Sequence, residues 1–294
     1  MRAVETKVGI GSVWETAVEA VRGRAGLLVP IVAFALFLPA VIQAGLVLYT
    51  GGSAGGTPPT PGGPASLLRF ALMLGLLVLT LWGALAVTAI TGDPATTSAE
   101  AGRRASARVL PLLGVSVVIG LAMALLFVPL IGVLAALGVN LAVTSRTGSM
   151  PDIPGSAGLF IGLYGLFVTG LLLWVFARLL PLVPVVLDER LGLRSIARAF
   201  RLTRGLGLKL AGVVLLYAVV LFVASQAAQW VVFIPLRLIL GAQNIGVAQF
   251  LGQVVAALVS AVFSVLAYAF TAQLYSRLTA RERVEPFGDA HPAA

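Results

Sequence analysis

The chain has no cysteine and a single histidine, His291, the fourth residue from its C-terminus. Disulfides, thiolate nucleophiles and thiolate metal sites are therefore excluded, and the redox compartment stays open. A lone tail histidine between Ala290 and Pro292 reads as solvated rather than catalytic or metal-bound. Charge is sparse as well. Only 11% of the 294 residues are Asp, Glu, Lys or Arg, where a soluble domain carries about a quarter. With 59% hydrophobic residues and a mean hydropathy of +1.04, the chain cannot clothe itself in polar groups. Its outer solvent is expected to be hydrocarbon.

The few acids are kept out of the apolar runs. They stand near the termini (Glu5, Glu15, Glu19, Glu282, Glu285, Asp289) or between runs (Asp93, Glu100, Asp152, Asp188, Glu189). Buried ionisable groups mark proton relays and ion-coupled pumps, so this placement argues against carboxylate-coupled transport. It also argues against intramembrane proteolysis, which needs paired Asp, Ser with His, or a metal. There is no GxxxxGK loop, no dinucleotide fingerprint and no metal-ligand spacing. No cofactor or metal is expected, and the chain reads as non-enzymatic.

What is present is apolar length. Crossing a ~30 Å hydrocarbon core takes roughly twenty apolar residues in a helix. Six runs qualify: 26–49, 67–90, 109–143, 158–187, 208–236 and 247–275. The sequence thus predicts an all-α integral membrane bundle of six transmembrane helices in a single domain, 1–294. The third run is overlong. Its part 130–143 either extends a tilted helix beyond a kink at Pro129 or lies along the outer surface. Pro181 and Pro184 mark a bend or unwinding near the end of the fourth.

The net charge of +9 does not point to nucleic acid, because the basic residues sit between apolar spans rather than on one exposed face with stacking aromatics. Alternating six crossings leaves only Arg69, Arg146 and Arg237 on one side, and the other seventeen of twenty Lys and Arg residues on the opposite side. By the positive-inside rule, both termini are expected in the cytoplasm, with the protein in the cytoplasmic (inner) membrane. The first apolar run follows Glu5, Glu15 and Glu19 and is long enough to span, so it reads as a crossing and not a cleaved signal. The outer stretches TGGSAGGTPPTPGGPAS and SRTGSMPDIPGSAG read as flexible loops.

Arginine is concentrated at VVLDERLGLRSIARAFRLTRG, residues 185–205. On a helix over 191–204, Arg190, Arg194, Arg198 and Arg201 form a charged stripe, and Leu193, Ile196, Ala197 and Phe200 an apolar one. Such a helix can lie in the headgroup plane with its guanidiniums toward anionic lipid, each cation contributing about 1 kcal/mol. Asp188 and Glu189 are placed to favour its N-terminus. Comparable segments precede the first crossing (SVWETAVEAVRGRAGLLVP, 12–30) and the third (TSAEAGRRASARVLP, 97–111). Aligning Ala20, Ala101 and Ala199 also aligns Arg22, Arg103 and Arg201. Three cytoplasmic amphipathic helices and a threefold repeat follow, with units of approximately 1–91, 92–188 and 189–280 and a tail 281–294. Arg103, Arg104, Arg108, Arg190, Arg194, Arg198, Arg201 and Arg204 are the expected headgroup contacts.

The run ARLLPLVPVVLDERLGLRSIARAFRLTRGLGLKLAGVVLLYAVV resembles the membrane domain fused to some glycerophosphoryl diester phosphodiesterases, and related stand-alone six-helix bacterial membrane proteins. Ser195, Arg198, Phe200, Arg201, Thr203 and Arg204 carry the likeness. It implies the six-helix fold. The phosphodiesterase itself needs a barrel of ~250 residues and a His and carboxylate constellation, for which this chain has neither room nor residues.

Polar groups at membrane depth are mostly amides. Gln226 and Gln229 share one face of the fifth helix, Gln249 and Gln253 one face of the sixth, so the four can meet. They read either as interhelical hydrogen bonds or as the lining of a polar pocket that Gln43 and Asn140 can join. Arg178, the most intramembrane charge, snorkels or pairs with Asp188, or else contacts a substrate phosphate. Gly158, Gly162 and Gly165 suit close helix packing, within the bundle or between protomers. The expected role is organising or binding membrane lipids through anionic headgroups, or binding partner membrane proteins or further copies. The alternative is a permease for a lipidic or neutral small solute.

Overall fold

The computed structural model describes residues 9–51, 63–139 and 154–284, and every regular element among them is helical. Most of the two Gly/Pro-rich stretches, together with Asn140 and His291, lies outside the described residues. Helix α1 spans Ile10–Gly23, and a break at Arg24 separates it from α2, Ala25–Val32. The chain continues through a π-helical turn, Ala33–Phe37, into α3, Leu38–Gly51. Pro39 explains that turn: it has no N–H, and its ring crowds the carbonyl four residues back, at Ala35. Then follow α4, Pro64–Gly92, and α5, Ser98–Ala136. Helices α6, Gly155–Leu179, and α7, Leu182–Glu189, are separated by a break at Leu180 and Pro181. The short α8 covers Arg194–Leu202, α9 Gly207–Leu240 and α10 Ile245–Val284.

Six stretches are long and apolar enough to cross a bilayer: Ala25–Leu46, Ser66–Gly92, Ser98–Ala136, Gly155–Glu189, Gly207–Leu240 and Ile245–Glu282. The protein is a multi-pass membrane protein. Large side chains such as Leu121, Leu125, Leu166 and Val231 stand exposed on the bundle, and only an apolar solvent makes that stable. Arg277 in α10 donates to Ser12 Oγ (2.5 Å), Ser12 O (3.1 Å) and Thr16 Oγ1 (3.1 Å) in α1. Both ends of the described chain therefore lie at the same end of the bundle, as an even number of crossings requires. The arginine-rich segments gather there.

The core sits at this arginine-rich end. One cluster joins Val13, Ala17, Val185, Leu210, Phe270 and Leu274. A second joins Leu28, Leu36, Ile90, Ala101, Ala261 and Val265. A third joins Leu85, Leu112, Val115, Val186 and Ala199. In lipid, apolar burial gives helices little drive to associate, so close packing and polar ties decide. The closest approach is at Gly83, where an added Cβ would lie 2.6 Å from Ala35 Cβ in the π turn. Gly252 is pressed against Gln229 in the same way, 3.0 Å from its carbonyl oxygen. At Gly158, Gly162 and Gly165 an added Cβ would meet nothing within 4 Å, so the close packing expected there within the bundle is not made.

Two further expectations change. The basic segment 97–111 is not a separate interfacial helix but the start of the 39-residue α5, which runs unbroken through Pro111 and Pro129. Helix therefore continues past Pro129 to Ala136, and the extension alternative holds for 130–136. Among the described residues, the interhelical ties deep in the bundle come from hydroxyls and not from Gln226, Gln229, Gln249 or Gln253. Tyr164 Oη donates to Leu126 O (2.7 Å), Ser225 and Ser260 pair at 3.2 Å, and Tyr217 Oη donates to Phe263 O.

Replacing Gly83 by Val forces α4 off the π turn and should cost about 1–3 kcal/mol of overpacking strain. Thermal unfolding in one mild detergent should show a lowered midpoint for Gly83→Val and an unchanged one for Gly165→Ala.

Candidate functional site

The site is built from helix ends that need donors and from arginines that supply them. The last carbonyls of a helix lack intrahelical partners. At the end of α4, Arg24 Nη1 donates to Ile90 O and to Asp93 O (2.8 Å), and Nη2 to Pro94 O. Gln273 Nε2 of α10 donates to Thr91 O (2.8 Å). Asp93 then turns the chain, accepting from Ala95 N–H (2.9 Å) and Thr96 Oγ1–H (3.1 Å). Those two bonds, in that order, hold the Asp93 carboxyl below its ordinary value, with Arg104 and Arg24 adding to the shift. Thr97 caps α5 by accepting from Glu100 N–H (3.3 Å). The Thr-x-x-Glu spacing of a capping box was the sequence signal for this start.

Helix α8 is fixed by one guanidinium. Arg198 Nε donates to Glu189 Oε1 (3.1 Å) and Oε2 (2.9 Å), and Nη1 and Nη2 donate to Glu282 Oε1 (2.8 Å) and Oε2 (2.6 Å). Tyr275 Oη donates to Glu189 Oε1 (3.0 Å). The Arg198 side chain is only 16% exposed. Hydrogen bonding to Glu282 raises its pKa, outweighing partial burial, with Glu189 assisting. Fork-to-carboxylate bonds of this kind are the strong, geometry-fixing ones. The clamp joins the end of α7, the middle of α8 and the last turns of α10.

Between these elements lies a cavity of about 430 Å³, with Thr88, Asp93, Arg104, Asp188, Tyr275 and Thr279 among its lining residues. Arg104 is committed within it, pairing with Glu100 at 2.5 Å and approaching Asp93 at 3.9 Å. Asp188 makes no hydrogen bond to a described residue. The hydroxyls of Thr88 and Thr279 donate to Ala84 O (2.7 Å) and Tyr275 O (3.0 Å). They offer acceptor lone pairs to a ligand, not an activated nucleophile.

The expected headgroup residues divide. Arg103, Arg190, Arg194, Arg201 and Arg204 are exposed, Arg108 is half-buried, and none forms an ion pair with a described residue. Arg198 does not join them. Positions 195, 198, 199 and 202 share one helical face, and Ser195, Ala199 and Leu202 on that face are buried. Spacings of four and three placed Arg198 beside Arg194 and Arg201, and the glutamates pull it to the neighbouring face. Glu189 is likewise at the C-terminus of α7 and not at the start of α8. Arg178 does not pair with Asp188; its Nη1 donates to Phe200 O (3.3 Å). Gln226 and Gln249 are exposed, Gln229 and Gln253 half-buried, and no hydrogen bond joins the four. Gln43 is exposed too.

Arg198→Met leaves two glutamates without their counter-ion and Glu282→Gln leaves Arg198 with Glu189 alone, while a double-mutant cycle isolates the Arg198–Glu282 pair itself. Because Glu282 is 39% exposed, the coupling energy between Arg198→Met and Glu282→Gln should be about 1–2 kcal/mol, well under the value for a fully buried pair. A cycle on unfolding free energies in detergent measures it. The Asp93 carboxyl, held below its ordinary value, contributes stability above that value, which is lost as pH falls through its folded-state pKa. Asp93→Asn should be less stable at neutral pH and lose less on acidification, as pH-scanned thermal unfolding would show.

No curated protein and no solved structure matches the chain. A family model described as a domain of unknown function (DUF7847) matches residues 9–278. That match takes in five crossings whole and the sixth as far as residue 278, the clamp residues Glu189 and Arg198 but not Glu282, and the cavity lining as far as Ser276. The chain belongs to the DUF7847 family.

Proposed function

We propose that the protein is a non-enzymatic membrane protein that binds and organises anionic lipids at the cytoplasmic leaflet, with both termini in the cytoplasm. The observation that carries this reading is the division of labour among the arginines. Arg24, Arg104 and Arg198 are used internally, whereas Arg103, Arg190, Arg194, Arg201 and Arg204 stand exposed at the same end, with no ion pair to a described residue. Exposed cations beside apolar spans attract an anionic surface.

In this reading α1, the start of α5 and α8 are the three interfacial elements of a threefold repeat. The aligned arginines Arg22, Arg103 and Arg201 are all exposed, and the aligned Ala101 and Ala199 are fully buried. Helix α8 has three faces: Ser195, Arg198, Ala199 and Leu202 toward the bundle, Arg194 and Arg201 outward, and Leu193, Ala197 and Phe200 available to acyl chains. A relationship to phosphodiesterase membrane domains is part of this proposal for the fold alone and brings no catalytic residues with it. The alternative, a permease, rests on the glutamine cluster, and none of the four lines the polar cavity.

Native mass spectrometry from mild detergent tests the proposal. Anionic lipid should be retained over zwitterionic lipid. Changing Arg103, Arg194 and Arg201 together to Gln should weaken retention by about 100-fold, at about 1 kcal/mol per cation. Equal retention of both lipid types by the unaltered chain would end this reading. The cysteine-free sequence lets orientation be read by single introduced cysteines and an impermeant thiol reagent.

A further inference from the structure

We infer that the guanidinium of Arg178 binds the phosphate group of a membrane lipid at the turn between α8 and α9. The inference rests on the lipid-binding reading above and gives it a specific site, distinct from the exposed arginines that carry it.

Arg178 lies in the last turn of α6, inside the fourth crossing. A charge at that depth is kept only with a partner, and an ionisable residue there marks a site by default. None of the ion pairs among the described residues includes it. Glu189 and Glu282 hold Arg198, Glu100 and Asp93 flank Arg104, and Asp188 lines the cavity without an ion pair to Arg178. Of its donors, one is used, in the long 3.3 Å bond to Phe200 O. Nε is buried with no partner.

The surroundings suit a phosphate. The guanidinium carbon lies 5.2 Å from the ring centroid of Trp174, which is 39% exposed, and tryptophan is enriched at headgroup depth. Gly207, the first residue of α9, packs on the guanidinium so closely that an added Cβ would lie 3.0 Å from Nε. Helix α9 has no side-chain N-cap, so no side chain satisfies its first N–H groups, the kind of group that favours an anion at a helix start. Arg204 and Lys209, both exposed, flank Gly207 in sequence and form no ion pair with a described residue. Gly207 shields Nε, so a phosphate engages the terminal nitrogens, whose planar fork matches two phosphate oxygens.

The full chain, delipidated in mild detergent, is titrated with dihexanoyl phosphatidylglycerol, with dihexanoylglycerol and with inorganic phosphate, following the thermal midpoint and the bound mass. Phosphatidylglycerol should stabilise the chain and dihexanoylglycerol should not. Arg178→Gln should weaken phosphatidylglycerol by about tenfold or more, the loss expected for a charge-assisted hydrogen bond. Arg178→Lys should fall between, and Arg237→Gln at the opposite end should match the unaltered chain. Equal stabilisation by dihexanoylglycerol overturns the site even if Arg178→Gln fails to fold. Equal stabilisation by inorganic phosphate overturns the lipid as its source. Unchanged affinity in Arg178→Gln, with anionic selectivity intact, overturns this site and leaves the surface reading standing. Loss of anionic selectivity in the unaltered chain overturns both.

Discussion

Backbone carbonyls at helix ends near the membrane boundary need donors, and this chain has few polar side chains to give them. The structure at the arginine-rich end follows from that constraint. Arg24 serves the carbonyls of Ile90, Asp93 and Pro94 at once and so ties the first crossing to the second. Arg277 ties α10 to α1 through Ser12 and Thr16. Arg198 ties α8 to both α7 and α10. A guanidinium suits this work because it offers five donors in a rigid fork.

The same economy shapes the rest of the bundle. The buried clusters lie at the arginine-rich end, where polar ties hold the helices in register and small residues can pack. Toward the opposite end the outer faces of α5, α6 and α9 carry exposed Leu, Val and Phe, and the glutamines of α9 and α10 find no partners in one another. Helices α9 and α10 stay together through Gly252 against Gln229 and through Ser225 with Ser260. Small residues and hydroxyls achieve a closeness that four amides on those faces do not.

Arginines drawn inward leave a polar cavity whose carboxylates, Asp93 and Asp188, face one committed guanidinium. The clamp reaches its wall directly: Tyr275 lines the cavity and donates to Glu189, and Asp188 precedes Glu189 in α7. Glu189 thus joins Arg198 of α8 to Tyr275 in the cavity wall through three hydrogen bonds.

The number and placement of the crossings were legible in the sequence, because apolar length alone decides what can span a bilayer. The gathering of arginines at one end followed from the same alternation. Breaks at Pro181 and the start of α5 at Thr97 also had local signals. What each arginine does was not legible. Spacing puts Arg198 equally well on a stripe with Arg194 and Arg201 or on a face with Ser195 and Leu202, and only the positions of Glu189 and Glu282, separated from each other by most of a hundred residues of chain, choose between them. Arg24 likewise reads as one more surface cation until the end of α4 is brought beside it. Periodicity fixes which residues share a helix face, whereas the partner of a charge is set by contacts distant in sequence, and those exist only once the helices have packed.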